Sequence, residues 1–360
     1  MKKIAYFLSY DLSKEDGVAK KVRNQIAQWR AIGKDVRVYC IGKKPLSHSE
    51  NEFYYDVSNN IVKRLVKNKK LITDIISFAP DMIYFRYESW SHTFDYLSRK
   101  FLVISEVNSL DLTESLLIYK KSKSVKSLIV YLLYYFLRGR VLSRSFALVS
   151  VTRELMNHND FAPYFSDERK CYIPNGVDLN NYNVLKSNKA GEKISLFFIG
   201  SPNQQWHGVE YIEKLALSLP EYDFHIVGIN NENKENLFFY GFLSKAEYQK
   251  ILSRCHICIG TLALFKNAME EACPLKVREY LLHGFPVILG YQDTAFIDYE
   301  SLPSWLLHVD VRSLGFPDQE QINNFIIKNI HTVVQDSELT ELANDYLETK
   351  RIDFFDKFSK

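Results

Sequence analysis

The chain has 360 residues, and its composition of 46% hydrophobic and 25% charged residues predicts a packed core in each of about two domains. This composition excludes a disordered chain, a collagen-like repeat and a small scaffold held by disulfides. The formal net charge of +3 conceals an asymmetry, because residues 1–172 sum to +11 and residues 173–360 to −8. The basic half predicts a polyanionic partner, either nucleic acid or an anionic lipid surface.

The first half of the chain predicts alternating strands and helices. Residues 4–8 form a continuous apolar run, which is typical of a strand covered on both faces. A helix is predicted to begin at Gly17, and residues 36–41 form the next strand, which completes a right-handed βαβ unit. Further strands are predicted in three places, over residues 82–87, 102–107 and 147–151.

A second alternating series follows residues 171–193, which are rich in Asn, Gly and Lys and which we interpret as a crossing between domains. The predicted strands of this series are residues 194–199, 224–227, 257–262 and 286–289. Its predicted helices are residues 207–219, 244–254 and 274–283, and residues 336–360 are also predicted to be helical.

These elements predict an α/β chain with two Rossmann-like parallel sheets. The expected domains are residues 1–172, residues 173–340, and a C-terminal helix over residues 341–360 that returns to the first domain. Ligands of such sheets bind beyond the carboxyl ends of the strands, so the site is expected in the cleft between the two domains.

The cysteines and apolar runs bear on the cellular compartment. Five scattered cysteines predict reduced thiols in the cytosol, and the C-x-x-C pair of Cys255 and Cys258 is interpreted as two core residues of an apolar run. The apolar stretch at residues 4–8 is too short for a signal peptide. The longest apolar run, residues 128–137, is too short to cross a bilayer.

The stretch from Glu271 to Gly284 is the most informative for chemistry. Pro274 suits the first turn of a helix, whose unpaired N–H groups and positive dipole end form an anion site. Lys276 adds a charge in that first turn, and Glu279, on the same face, can accept hydrogen bonds from a ribose diol. Glu271 is expected in the loop ahead of the helix, where it can reach sugar hydroxyls. This pattern fits a nucleotide-sugar; for an isolated helix, the alternative is a solvated Lys276–Glu279 pair.

These motifs resemble those of the retaining family-4 glycosyltransferases of the GT-B fold. Ile173-Pro-Asn-Gly-Val-Asp178 resembles the family's interdomain segment, and the Glu271 to Glu279 spacing matches its paired-glutamate motif. Gly200 with Trp206-His-Gly208 occupies the place of its strand-to-helix phosphate loop. Residues 255–264 and 274–281 resemble a subgroup that builds bacterial surface polysaccharides such as capsule, O-antigen and exopolysaccharide.

The resemblance implies an enzyme, a hexosyl- or related glycosyltransferase that moves a sugar from a nucleotide-sugar donor to a glycan or lipid-linked acceptor with retention of configuration. Glu271 and Lys276 are the implied catalytic residues. The implied donor-binding residues are Gly17, Gly200, Trp206, His207, Gly208, Lys276 and Glu279. For Gly17, a plain helix start is the alternative.

Two departures from the family pattern affect the site. An arginine and a lysine that contact the diphosphate in many members are replaced here by Ser201 and His207. A histidine near the transferred sugar is absent after residues 102–107. The acceptor-side candidates are therefore Arg86, Glu106 and Asn108, and an ion pair with Glu88 is the alternative for Arg86.

The sequence lacks the Asp-x-Asp motif of metal-dependent glycosyltransferases, so we expect no metal and no cofactor. No G-x-G-x-x-G follows either first strand, which argues against a dehydrogenase, and no groove-reading motif supports a nucleic-acid partner. Two alternatives stay open: a nucleotide-sugar epimerase or hydrolase of the same fold, and a non-catalytic sugar-nucleotide-binding membrane partner.

Basic and apolar segments of the first half predict a membrane surface as a partner. Residues 61–70 place five basic residues among four aliphatic ones. Residues 128–137 are flanked by cations at Lys120, Lys121, Lys123, Lys126, Arg138, Arg140 and Arg144. This pattern suits a helix in the headgroup layer of an anionic leaflet. We expect a cytoplasmic protein, peripheral on the inner face of the plasma membrane; the alternative is a core helix with solvated lysines.

Overall fold

The computed structural model describes residues 1–14, 16–45, 48–55, 66–180, 182–186, 193–312 and 318–359. The chain divides into two compact units, of which the first comprises Met1–Pro174 with Asn344–Lys360 and the second Asn175–Ala343. Each unit is built on a parallel sheet flanked by helices, which confirms the predicted α/β class with two Rossmann-like domains.

The first unit contains a seven-stranded sheet in the order β3-β2-β1-β4-β5-β6-β7. Its strands are β1 (Lys3–Ser9), β2 (Asp35–Ile41), β3 (Glu52–Tyr55), β4 (Met82–Arg86), β5 (Leu102–Val107), β6 (Ala147–Ser150) and β7 (Lys170–Tyr172). Its helices are α1 (Gly17–Ala31), α2 (Lys69–Phe78), α3 (His92–Ser98), α4 (Asp111–Ser122), α5 (Val125–Arg144), α6 (Arg153–Asn157) and the C-terminal helix (Asn344–Asp356).

Both faces of the central strand β1 are covered, as its continuous apolar run predicts. Tyr6 lies on one face, where its ring stacks on Trp29 of α1 at 5.6 Å, and Phe7 lies on the other, 5.3 Å from Phe85. The C-terminal helix joins the first of these layers, because the Trp29 indole N–H donates to Glu348 at 2.7 Å. The last helix of the chain is therefore part of the first unit's core.

The second unit contains a six-stranded sheet in the order β10-β9-β8-β11-β13-β15 and a two-stranded sheet of β12 and β14. Its strands are β8 (Ser195–Ile199), β9 (Asp223–Val227), β10 (Leu237–Phe239), β11 (Ile257–Ile259), β12 (Glu271–Ala272), β13 (Val287–Leu289), β14 (Gln292–Asp293) and β15 (Leu306–His308). Its helices are α7 (Val209–Ser218), α8 (Lys245–Leu252), α9 (Leu275–Leu282) and α10 (Gln319–Asn329).

One predicted strand, residues 257–262, is shorter than expected. β11 ends at Ile259, and residues 262 and 263 pair with a preceding loop instead of continuing the strand. The Leu262 N–H donates to the His207 carbonyl and the Ala263 N–H to the Trp206 carbonyl, both at 3.1 Å. This pairing fixes the loop that follows β8, next to the candidate site described below.

Two further expectations concern the cysteines and apolar runs. All five cysteines are free thiols, and Cys255 and Cys258 are buried, which confirms their interpretation as core residues. In the part of the chain that the structure describes, no helix is both long and apolar enough to cross a membrane.

Candidate functional site

The predicted helix after Cys273 is confirmed as α9, with Pro274 at its N-cap position. Pro274 has no side-chain donor or acceptor, so the N-cap residue makes no side-chain hydrogen bond to the first turn. The positive end of the helix dipole is therefore not neutralised by a capping carboxylate. This end of α9 is suited to bind an anion.

Lys276, in the first turn of α9, extends to the carboxyl end of β8. Its Nζ atom donates to the Ile199 carbonyl at 3.2 Å and lies 4.1 Å from the centre of the Phe198 ring. Among the described residues it forms no ion pair. Burial therefore lowers the pKa of Lys276 to about 7. A buried ammonium without a counter-ion is the group that gains most from a bound anion.

The loop after β8 packs so closely that glycine is required at both of its ends. A Cβ atom on Gly200 would lie 2.6 Å from His207 Nδ1, and one on Gly208 would lie 2.9 Å from the Ala263 nitrogen. Gly208 also has a φ of +71°, which favours glycine. The two predicted glycines therefore allow this loop to pack closely on its own His207 and on Ala263.

His207 and Trp206 lie in the short 3₁₀ turn Gln205–His207 of this loop. The His207 ring is buried beside Phe198, with ring centres 5.5 Å apart, and Trp206 is half-buried. Burial, and then the charge of Lys276, lower the pKa of His207 to about 3. His207 is therefore neutral at pH 7 and supplies no positive charge to the site.

Glu279 is held by a hydrogen bond from the neighbouring helix. The Tyr248 hydroxyl of α8 donates to Glu279 Oε1 at 2.7 Å, and the Lys245 ammonium lies 3.9 Å from the same oxygen. A carboxylate fixed in this way, one turn after Lys276, can accept hydrogen bonds from a diol.

Glu271 lies in β12 rather than in the expected loop, and β12 pairs in parallel with β14. Its side chain is buried, and the Thr294 hydroxyl donates to Glu271 Oε2 at 3.4 Å. The strand pairing fixes the Glu271 backbone more firmly than a loop would. Its predicted contact with a sugar stays a prediction.

Sequence reasoning missed Arg278 of α9. Its NH1 and NH2 atoms donate to the two carboxylate oxygens of Asp293 at 2.8 and 2.7 Å, and both side chains are buried. The Arg278 Nε–H donates to the Asn175 carbonyl at 2.6 Å, and the Asn175 amide donates to the Cys273 carbonyl at 2.7 Å. Arg278 therefore joins α9 to β14 and to the segment that begins the second unit. The sequence did contain a signal for this role, because Arg278 occupies a helix position where periodicity predicts an apolar residue.

Glu106, at the end of β5 in the first unit, is fully buried. Its carboxylate lies 2.8 Å from Lys21 Nζ, 3.3 Å from Arg86 NH1 and 3.7 Å from Arg351 NH1. Burial alone would raise the pKa of Glu106, but Lys21, Arg351 and Arg86 hold it well below its usual range. This corrects the expectation that Glu106 contacts an acceptor, because it is an internal counter-ion.

Of the other two acceptor-side candidates, Arg86 belongs to the Glu106 cluster, which consists of Glu106, Lys21, Arg86 and Arg351, and Asn108 lies beside it. Arg86 contacts Glu106 and is partly exposed, while Lys21 Nζ donates to the Asn108 side-chain oxygen at 2.9 Å. Burial lowers the pKa of Lys21. Arg86 and Asn108 are thus brought to one region at the carboxyl ends of β4 and β5, and their contact with an acceptor stays a prediction.

Gly17 begins α1, but the end of that helix is already capped. The Asp16 carboxylate accepts hydrogen bonds from the N–H groups of Val18 and Ala19, both at 3.1 Å. The Tyr10 hydroxyl bonds to the same carboxylate. An anionic cap disfavours a second anion at this position, which supports the alternative that Gly17 only starts the helix.

Within the described ranges, no group of three or more His, Cys, Asp or Glu side chains is arranged to hold a metal ion. The expectation of a metal-independent reaction stays a prediction.

The two parallel-sheet units together have the GT-B fold of solved glycosyltransferases. The apo lipopolysaccharide outer core galactosyltransferase WaaB aligns with a TM-score of 0.65 and 10% identity, over 99% of each chain. A glycosyltransferase from Rickettsia africae aligns with a TM-score of 0.63 and 11% identity, over 99% of this chain and 98% of that one. HepE from Anabaena, in complex with UDP and glucose, aligns with a TM-score of 0.57 and 14% identity, over 99% and 100%.

Sequence identities this low establish the fold of the chain but not its reaction or its substrates. No family model and no curated protein matches the chain by sequence.

Proposed function

We propose that the protein is a retaining glycosyltransferase that moves a sugar from a nucleotide-sugar to a glycan or lipid-linked glycan in surface polysaccharide biosynthesis. The observation that carries the proposal is the buried ammonium of Lys276, without a carboxylate partner in the described ranges, beside the uncapped start of α9. Solved proteins of this fold add support, since HepE holds UDP and glucose and an α-glucosyltransferase holds UDP, with TM-scores of 0.57 and 0.63.

In the proposed reaction, departure of the nucleoside diphosphate builds negative charge on its oxygens. Lys276 and the N terminus of α9 stabilise that charge and so lower the barrier. Glu279 accepts hydrogen bonds from the ribose, and Glu271 contacts hydroxyls of the transferred sugar. The acceptor hydroxyl attacks from the side of the leaving group and gives its proton to the departing phosphate oxygen, so the configuration is retained.

A nucleotide screen tests this proposal. UDP, GDP, ADP and their sugars are added to the full chain, and the ligand that fits is expected to stabilise it by about 2.7 kcal/mol at 100 times its dissociation constant. Release of nucleoside diphosphate should then require an acceptor. Release without any acceptor would indicate a hydrolase or epimerase, and stabilisation without turnover a non-catalytic binding protein. No stabilisation by any nucleotide would contradict the donor site itself.

The same assay is repeated with EDTA, because Lys276 and the dipole of α9 are proposed to take the place of a metal ion. Activity is expected to survive chelation. Complete loss that Mg²⁺ or Mn²⁺ restores would overturn the metal-independent mechanism.

We also propose that α4 and α5 attach the protein to an anionic membrane surface. Six large apolar side chains on this helix pair are exposed: Ile118, Val125, Ile129, Leu132, Tyr135 and Phe136. Four of them, at residues 125, 129, 132 and 136, share one face of α5 by helical spacing. The segment 128–137 is therefore not the core helix of the alternative interpretation.

The predicted cations around this face differ in how exposed they are to solvent. The four lysines from the last turn of α4 to the first turn of α5 are exposed: Lys120, Lys121, Lys123 and Lys126. Arg138, by contrast, lies 2.7 Å from Asp160 and is largely buried, so it does not belong to the exposed basic surface. Of the basic segment 61–70, residues 61–65 lie outside the described residues.

Liposome co-sedimentation tests the membrane proposal. Binding to anionic vesicles at low salt is expected, with little binding to neutral vesicles, because each Lys or Arg near an anionic leaflet contributes about 1 kcal/mol. Changing Lys120, Lys121, Lys123 and Lys126 to Glu should abolish it. The matched control changes four exposed lysines elsewhere, which are Lys20, Lys250, Lys328 and Lys350. Equal loss in both variants, or equal binding to both vesicle types, would contradict the proposal.

A further inference from the structure

A cavity of about 530 Å³ lies between α3 and the C-terminal half of α5 in the first unit. Its lining includes Trp90, His92, Asp95, Arg99, Arg140 and Arg144. This volume falls within the usual range for small-molecule sites. Neither the proposed donor site of the second unit nor the Glu106 cluster uses any of these residues.

The lining of the cavity has an excess of positive charge. Arg99 donates to Asp95 Oδ2 through Nε at 3.2 Å and NH2 at 3.0 Å, and Arg144 Nε lies 3.8 Å from the other oxygen of Asp95. Arg140 has no ion-pair partner within the described ranges. One carboxylate therefore faces three guanidinium groups, which leaves two positive charges uncompensated.

Trp90 adds a second, independent observation. Its side chain is only 8% exposed, yet its indole N–H has no hydrogen-bond partner among the described residues. Buried N–H groups without a partner are rare in folded proteins and call for an explanation. The cavity wall thus combines a largely buried indole with three guanidinium groups that share one carboxylate.

We propose that this cavity binds a phosphate monoester, with its dianionic group between Arg140 and Arg144. A dianion matches the two uncompensated charges, and the planar donor fork of arginine matches phosphate oxygens. The cavity is larger than a phosphate ion, so it also admits part of the organic group that carries the phosphate. The proposal does not depend on the proposed transferase activity, because no residue of the cavity belongs to the donor site or to the acceptor-side candidates.

Titration of the full chain with inorganic phosphate and phenyl phosphate at constant ionic strength tests the proposal by calorimetry. Saturable binding is expected, and Arg140→Gln with Arg144→Gln should weaken it about tenfold or more. The matched control, Lys20→Gln with Lys350→Gln, removes the same charge from exposed positions of the same unit and should bind like the wild type. Wild-type protein that binds neither probe, or equal affinity in the two double variants, would overturn the proposal.

Fluorescence locates the bound phosphate. A phosphate-induced change in tryptophan emission that disappears in Trp90→Phe, while calorimetry still reports binding, would place the ligand beside Trp90. A signal unchanged in Trp90→Phe would place it elsewhere and overturn the proposal.

Vesicles distinguish the two sources of a phosphate monoester. Phosphatidic acid carries a monoester headgroup, and phosphatidylglycerol carries an anionic diester. A preference for phosphatidic acid vesicles that is lost in the Arg140/Arg144 variant would identify a lipid headgroup as the ligand. Tight binding of phenyl phosphate without a preference between the vesicles would identify a soluble phosphorylated compound.

Discussion

Replacement of Lys276 with alanine is expected to lower kcat/KM for the nucleotide-sugar about 10- to 150-fold. The change removes a charge-assisted contact to the diphosphate worth about 1.5–3 kcal/mol. Glu279→Ala and Glu271→Ala should also impair turnover strongly while the chain stays folded. Lys250→Ala, which removes an exposed lysine of α8, serves as the control. Wild-type rates in both Lys276→Ala and Glu279→Ala would show that the donor site is misplaced.

The pH dependence of nucleotide affinity gives a sharper test of the same lysine. Burial lowers the pKa of Lys276 to about 7, so the free protein loses this charge as the pH rises above 7. A bound diphosphate favours the charged form, and binding above pH 7 must therefore take up a proton. Affinity should fall by up to about tenfold per pH unit between pH 7 and the pKa of the bound state.

Calorimetry at pH 6, 7, 8 and 9, in buffers of different ionisation enthalpy, measures this proton uptake directly. The comparison is made with Lys276→Ala, since titration of the nucleotide's own phosphate is common to both proteins. Proton uptake above pH 7 should disappear in the variant. The same pH slope in both proteins would mean that Lys276 does not contact the diphosphate.

The strands that the sequence predicts and the strands that it does not predict occupy different positions in the sheets. All nine predicted strands are present, because a strand inside a parallel sheet is covered on both faces and has a continuous apolar run. Four strands of the two main sheets were missed, namely β3, β7, β10 and β15, and each is the edge strand of its sheet. These edge strands are only three or four residues long, so the apolar runs that mark them, such as residues 237–240 and 305–307, are short.

The candidate site likewise has features that the sequence predicts and features that it does not predict. The start of α9 and the position of Lys276 follow from local signals, since Pro274 and Gly284 delimit the helix and periodicity orients it. The partners of charged residues cannot be derived in this way. Glu106 pairs with Arg351, and Arg278 pairs with Asp293. The partners of each pair are separated in the sequence and become neighbours only in the folded chain. One sequence without an alignment therefore predicts the elements of a site better than its internal ion pairs.

The buried pair of Arg278 and Asp293 is expected to give the largest loss of stability. Arg278→Met leaves the Asp293 carboxylate buried without its counter-ion, and breaking such a pair costs about 3–5 kcal/mol in the free energy of unfolding. Urea unfolding of the full chain, followed by circular dichroism, measures this cost. The control is Arg312→Met, which breaks exposed pairs with Glu270 and Asp310 and should cost little stability. A cost for Arg278→Met no larger than that of the control would contradict the prediction.

A double variant separates the stability of this pair from its effect on the donor site. Arg278→Met with Asp293→Asn leaves no orphaned charge, and the asparagine oxygen can still accept the Ala295 N–H that Asp293 accepts at 3.1 Å. The double variant should therefore recover much of the stability that Arg278→Met loses. It does not restore the Arg278 bonds that join α9 to β14 and to Asn175. If these bonds position Lys276 and Glu279, nucleotide affinity should fall in Arg278→Met and should stay low in the double variant, although the double variant is again stable. Recovery of both stability and affinity would mean that Arg278 stabilises the fold without positioning Lys276 and Glu279.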